Sequence, residues 1–380
     1  MTKKRPYLFF FFLILSLPSG ALADSYSDKQ EWNTYLKDSG HSLRAYGSLT
    51  LPLEQKWLFE AGDAIYSSPV AGDGKVCVGS HDSNLYCFDA KTGKMLWKFV
   101  TDGKVSASPL IKNGKCFIGS SDGAFYAVDS NEGNLLWKYE TGGGIFSSAS
   151  ESLGKIFFGS NDRHLYSLDM ETGRLAWKVE LPDYKYGGIY SSPAVMGEVV
   201  YIADKKGNIY CVYAQSGQIK WRARAGSAIY SSPAISGGIL LIASYDEHVY
   251  AFNRENGKLL WKRRLPNWIY STPLIMEHVA VVGAYDGYIY ALNISDGTPV
   301  WKFDMGSRIS ASPILIGKYV LVASNDGRIS LIDSLIGVEK WGIRIDDGIH
   351  GTPAIYDGWM YICLLYTSDA ADEEDSVDLG

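Results

Sequence analysis

Histidines and regularly placed aspartates are the side chains here with the most chemistry to offer. Imidazoles bind a metal when they converge with thiolates or carboxylates at close spacing. His41, His81, His164, His248, His278 and His350 instead stand singly along the chain, and no spacing of a metal site surrounds them. Asp82, Asp122, Asp162, Asp246, Asp286 and Asp326 form a column, each in a polar turn. A carboxylate in a turn accepts backbone N–H groups, so this column reads as turn chemistry. Gly142-Gly143-Gly144 has the composition of a phosphate loop but opens a strand, and so lacks the helix N-terminus that cradles phosphate. No Gly-x-Ser-x-Gly elbow and no Cys/His pairing in a recognisable context supplies a nucleophile. The sequence therefore predicts no catalytic residue, no cofactor-binding residue and no metal ligand.

The elements that carry these residues follow from a period. Trp57, Trp97, Trp137, Trp177, Trp221, Trp261, Trp301 and Trp341 recur every 40 residues, with a single spacing of 44. A fixed period of that size marks a repeat architecture. Each unit opens on a run such as Ile65-Tyr66-Ser67-Ser68-Pro69. Three β-branched and aromatic runs follow: Lys75 to Gly79, Leu85 to Phe88 and Met95 to Phe99. Between them lie turn residues, so each unit reads as four short strands. Glycines at 93, 133, 173, 217, 257, 297 and 337 hold a turn that calls for positive φ. Tyrosines at 86, 126, 166, 210, 250 and 290 hold another column, broken at Ser330. No stretch of the mature chain shows a sustained helical period. The expected fold is all-β: an eight-bladed β-propeller of four-stranded antiparallel blades, its ring closed by an N-terminal strand.

Cys87-x-Asp89-x-x-Thr92-Gly93-Lys94-x-x-Trp97 resembles the tryptophan-docking motif of the quinoprotein (PQQ-like) β-propeller repeat. Ala127 to Trp137 and Ser167 to Trp177 match it well, and the units ending at Trp221, Trp261, Trp301 and Trp341 more loosely. The resemblance covers roughly residues 57–362 and implies that all eight tryptophans wedge between blades as structural docking residues. In architecture the chain is also similar to the propeller subunit of the outer-membrane β-barrel assembly machinery. That subunit is a lipoprotein, and no lipidation cysteine stands near the leader here. The repeat family further implies PQQ with calcium as an alternative. Such enzymes build a lidded pocket from long insertions, whereas this period carries only a four-residue insertion near Pro182-Asp183-Tyr184-Lys185. The expected chain carries no cofactor and leans towards a non-catalytic role.

Residues 1–23 read as a signal peptide, with basic Lys3, Lys4 and Arg5, an apolar run from Leu8 to Leu17 and the cleavage site Ala21-Leu22-Ala23. This predicts an exported, periplasmic or extracellular protein beginning at Asp24, with no transmembrane segment in the mature chain. Residues 24–55 form a lead-in with Trp32, Tyr35 and Tyr46 as docking points. Residues 56–362 are the propeller, beginning with an orphan fourth strand at Lys56 to Phe59 that completes the final blade. Residues 363–380 resemble a translated sequencing adapter and are taken as a non-native tail, which leaves the last blade truncated after its second strand. Removing the leader's three basic residues and the tail's six acidic ones moves the formal net charge from −6 to −3. That balance does not suit a polyanion, and nucleic acid is not an expected partner. Of the native cysteines 77, 87, 116 and 211, Cys77 and Cys87 face one another in a hairpin and could pair. Cys87 and Cys211 equally fit a column of small buried residues.

What remains for function is a face. Strand order puts the inter-blade loops and the turns between second and third strands on one side of the disc. Tyr66, Phe146, Tyr190, Tyr230, Tyr270 and His350 line its mouth, with Lys104, Tyr186, Trp268 and Arg308 beside them. Aromatics with arginine are common anchors of protein interfaces. The expected function is a protein-binding scaffold, monomeric, engaging an envelope protein or peptide, with envelope or outer-membrane protein assembly as the expected setting. A polysaccharide-binding propeller is a further alternative.

Overall fold

The computed structural model describes residues 10–14, 31–45, 53–181 and 188–365. Eight antiparallel sheets make up an eight-bladed propeller, their innermost strands adjacent around a ring. In blade one the strands are Val70–Gly72, Lys75–Gly79, Asn84–Asp89 and Met95–Val100, paired in order from the axis outwards. The two middle strands are covered on both faces by neighbouring blades, so Val76, Cys77, Val78, Leu85 and Phe88 are all buried. The outermost strand is covered on one face only and alternates, exposing Met95 and Val100. A one-residue bulge opposite Cys87 and Phe88 recurs in blades one to seven and re-aims the strand at its tryptophan.

Seven of the tryptophans, at positions 57, 97, 137, 177, 221, 261 and 301, dock on the following blade. Trp97 Nε1 donates to the Ser130 carbonyl at 3.0 Å, Trp221 to Arg254 at 3.0 Å and Trp261 to Ile294 at 2.8 Å. The indole face lies against the glycine column. A Cβ on Gly133 would stand 2.7 Å from Trp97 Cδ2, and φ there is 75°. Glycine is thus required twice, by the left-handed backbone and by the ring stacked on it. Burying one indole contributes roughly 4–6 kcal/mol gross per junction, taking ~150–250 Å² at ~25 cal/mol/Å².

The tyrosine and aspartate columns are one device. Tyr86 Oη donates to Asp82 Oδ2 at 2.7 Å, while the Gly62 and Asn84 N–H groups donate to the same carboxylate. The arrangement repeats at Tyr126–Asp122, Tyr166–Asp162 and Tyr250–Asp246. In blade seven, where Ser330 replaces tyrosine, Asp326 pairs with Arg344 and Ser330 turns to Glu339. The aspartates are therefore turn residues, as expected.

At the axis the ring closes on itself. The N–H of Ser68 donates to Ser108 Oγ, and the same bond is passed on through Ser148, Ser192, Ser232, Thr272, Ser312 and Thr352 back to Ser68. All eight distances fall between 2.8 and 3.0 Å. The final bond, from Thr352 N–H to Ser68, joins the last blade to the first.

The described part of the lead-in, residues 31–45, visits the innermost strands in order. Trp32 bridges to Ala71 in blade one, and Asn33 accepts from the Ile111 N–H in blade two. Thr34 Oγ1 donates to the Ala149 carbonyl in blade three, and Ser39 accepts from the Val195 N–H in blade four. His41 Nδ1 donates to the Pro233 carbonyl, and Arg44 Nη2 to the Ile275 carbonyl. Arg44–Ala45 then lies parallel to Ile314–Ile316 in blade seven. Trp32, Leu36 and Leu43 are buried. Tyr46 lies outside the described residues.

In blade eight the repeat is truncated and closed by an N-terminal strand as expected, and its open position is taken by a further segment. The orphan strand is present as Glu54–Trp57, but it does not border an empty third position. The backbone of Phe10–Ile14, assigned from sequence to the leader, pairs with Glu54–Trp57 on one side and Trp359–Leu365 on the other. Two strand edges with unpaired N–H and C=O groups are satisfied by any extended segment of suitable length, and this one fills the place. The second strand also runs past Ile362 to Leu365, with Cys363, Leu364 and Leu365 buried and Gly348–Ile349 paired to its end. The pattern of that strand thus continues three residues into the segment read as a tail. Residues 366–380 lie outside the described residues.

Candidate functional site

Eight equivalent backbone contacts build one face. The N–H of His81 donates to the Ala64 carbonyl, and the same bond joins Ser121 to Lys104, Asn161 to Gly144, Lys205 to Gly188, Tyr245 to Ala228, Tyr285 to Trp268 and Asn325 to Arg308. In blade eight Leu365 pairs with Gly348. Each turn between second and third strands is thereby clamped to the segment leading into the first strand. The residues on both sides of this clamp, together with the column from Tyr66 to His350, surround the mouth of the axis.

Depth is set by strand position. The hydroxyl ring lies two residues beyond the mouth column, about 7 Å at the rise of extended chain. Residues 31–45 lie deeper still, on the parts of the innermost strands equivalent to Pro69 to Gly72. The Tyr35 hydroxyl reaches the ring, sharing hydrogen bonds with Ser232, Thr272 and Ser312, and burial raises its pKa. The mouth therefore opens onto a blind funnel floored by hydroxyl groups.

Of the residues proposed from sequence, Phe146, Tyr190, Tyr230, Tyr270 and Trp268 come together. Phe146 stacks on Tyr190 with ring centres 4.8 Å apart, Tyr190 meets Tyr230 edge-on at 5.8 Å, and Tyr230 stacks on Tyr270 at 5.1 Å. Tyr245 stacks on Trp268 at 4.3 Å, and Tyr285 lies along Tyr270 at 5.8 Å. The result is an aromatic arc across blades three to six. Trp268 and Tyr270 are 43% and 36% exposed, so the arc is open to solvent. The neighbouring tyrosines and burial push the Tyr245 phenol up to about 12, with burial the larger cause.

The other proposed residues lie around the rest of the rim. Tyr66 packs on His81 at 4.6 Å and edge-on to His350 at 6.2 Å. His81 Nε2 and Ser106 Oγ are 2.8 Å apart. Burial, and after it the positive charge of Lys104, lower the His81 pKa. The Arg308 guanidinium lies over Tyr285 at 5.9 Å. Tyr186 and the Pro182 to Lys185 insertion lie outside the described residues.

Sequence reasoning missed Lys205, Tyr245 and Tyr285. Lys205 Nζ stands over Tyr190 at 4.7 Å and Tyr230 at 5.6 Å, and Ser310 Oγ donates to Tyr285 Oη at 3.3 Å. The signal was available. Tyr245 and Tyr285 stand immediately before Asp246 and Asp286 of the aspartate column, and Lys205 holds the same place in blade four.

The residues present do not fit a calcium-bound quinone. Among the described residues no group of three or more His, Cys, Asp or Glu side chains could hold a metal ion. Asp82, Asp122, Asp162 and Asp246, near the mouth, are engaged by tyrosines and backbone N–H groups. His164 and His248 each bond the carbonyl of their own turn aspartate. The cysteines are free and buried, Cys77 directly opposite Cys87, and burial drives the Cys77 thiol pKa well up.

In architecture the chain is similar to BamB from Moraxella catarrhalis: 18% identity, a TM-score of 0.64, and coverage of 82% of this chain and 88% of that one. The computationally designed Ika8 protein is 18% identical with a TM-score of 0.69, over 80% of this chain and 96% of that one. A quinohemoprotein alcohol dehydrogenase from Comamonas testosteroni is 13% identical with a TM-score of 0.72, over 88% of this chain and 80% of that one. At these identities the likeness is one of fold. No curated protein matches the sequence. The model of the beta-alanine-activating enzyme beta-propeller matches residues 116–363, and the chain belongs to that propeller family.

Proposed function

We propose that this protein is a non-catalytic propeller scaffold that holds a protein partner at its funnel face. The observation that carries this reading is the solvent-open aromatic arc from Phe146 to Tyr285, set on rigid, clamped turns. Large rings already ordered by mutual stacking present contact area at little entropic cost, as binding anchors do. Among the described residues, the commitment of Asp82, Asp122, Asp162 and Asp246 to turns favours this reading over a quinone enzyme. Export to an envelope compartment supports an envelope partner, and rests on the basic and apolar pattern of residues 1–23. The fold of BamB is in keeping with this role. No helix among the described residues is long and apolar enough to cross a membrane.

The test is capture of envelope proteins by the full chain and by a Tyr230→Ala/Trp268→Ala variant. A specific partner retained by the parent and lost at least about tenfold by the variant is the expected result. Calcium-dependent uptake of PQQ with dye-linked alcohol oxidation would overturn the reading in favour of a quinoprotein oxidoreductase.

A further inference from the structure

We infer that the partner segment held in the funnel is an acidic peptide bearing aromatic side chains. This rests on the scaffold reading and names the chemistry of its partner. Three columns line the mouth, containing Ala64, Tyr66 and His81 and their equivalents in every blade. Not one of these positions is a carboxylate, although the chain carries 42 acidic and 36 basic residues. Lys104, Lys205 and Arg308 are among them. Acids stand one step outside these columns, Asp63 and Asp347 and the turn aspartates 82, 122, 162, 204, 246, 286 and 326, but most of the turn carboxylates are taken up by tyrosine hydroxyls and backbone N–H groups.

Lys205 stands within the aromatic arc and Arg308 at its blade-six end. Lys205 lies over Tyr190 and Tyr230, and Arg308 over Tyr285. Neither makes an ion pair among the described residues. Some basic side chains elsewhere are paired, as Lys115 is to Glu171 and Arg328 to Glu339, so these two are held by rings where others are held by carboxylates. A cation held over a ring is oriented and keeps its hydrogen-bond donors for an incoming carboxylate. The funnel floor points the same way. Each ring hydroxyl accepts a backbone N–H, and those other than Ser232, Thr272 and Ser312, which meet Tyr35, keep a proton to donate. A peptide with aromatic residues on the arc would set carboxylates against Lys205 and Arg308.

The experiment selects a display library of random dodecapeptides on the full chain, then measures the affinity of one synthesised winner. Retained peptides should carry several-fold more Asp and Glu than Lys and Arg, with at least one aromatic residue. Lys205→Glu or Arg308→Glu should each weaken the winner about tenfold or more, and raised salt should weaken it further. The neutral pair Lys205→Gln/Arg308→Gln should fall between parent and reversal, which separates charge from misfolding. Selected peptides without acidic enrichment, or affinity indifferent to both sets of variants, would overturn the inference. So would preference for polygalacturonate over every peptide. If Tyr230→Ala/Trp268→Ala still abolishes capture of a protein while the charge variants do nothing, the scaffold reading stands and only the acidic partner falls.

Discussion

His41 is an imidazole far from its ordinary environment. It is 2% exposed, its Nδ1–H is spent on Pro233, and its Nε2 has no hydrogen-bond partner among the described residues. Burial lowers its pKa from 6.5 to about 4, with Asp38 opposing the shift. The unfolded chain therefore binds a proton between about pH 6.5 and 4 that the folded chain refuses, so stability from this residue falls as pH falls through that window. The full effect is on the order of 3 kcal/mol. Urea midpoints measured from pH 7 to 4 should decline, and His41→Gln should flatten the decline; an equal slope in both proteins would refute the assignment. Gly133 offers a second single-residue test. A methyl there meets Trp97 and forces a left-handed alanine, so Gly133→Ala should cost roughly 2–4 kcal/mol, whereas Gly114→Ala, with open space around it and a similar φ, should cost only about 1. Equal losses at the two sites would mean that the indole does not set the requirement.

At the level of elements, the blade was legible and the lead-in was not. Four runs of Val, Ile, Tyr and Phe between Gly and Asp turns specify the strands of each unit, and a 40-residue period specifies their repetition. The segment 31–45 has neither pattern. Its backbone groups are satisfied one blade at a time by different innermost strands, so no local periodicity encodes it. Trp32 and Tyr35 were recognisable as docking aromatics, but Leu36, His41 and Leu43 carried no signal of burial. Leu43→Ala should cost about 2–5 kcal/mol if the segment packs as described. Calorimetry or a denaturant midpoint reads it; an unchanged midpoint would show that the segment is not docked in solution. The last blade is truncated as the repeat predicts, and only the segment that occupies its open position carries no signal, for a related reason. Strand pairing across that slot is made by backbone, which accepts Phe10–Ile14 without any repeat motif in it.

Over the whole molecule, the tryptophan period fixed the number of blades, and the alternation of turns fixed which loops share a face. The candidate site was half legible on that basis. The column from Tyr66 to His350 could be placed at the mouth from the repeat alone. Lys205, Tyr245 and Tyr285 lie in turns that strand order also puts on that face, and the turn clamps show how closely their column borders the mouth. The strap of residues 31–45 has one more consequence, for the order of assembly. Its docking sites are spread over the innermost strands of seven blades, from Ala71 to Ile316. This stretch leaves the ribosome before any of those strands exists, yet it can be seated only after nearly all of them have formed. Contacts of such long sequence separation form slowly. The earliest-made part of the described lead-in is therefore among the last to find its place, and its seating reports that the ring beneath it has been completed.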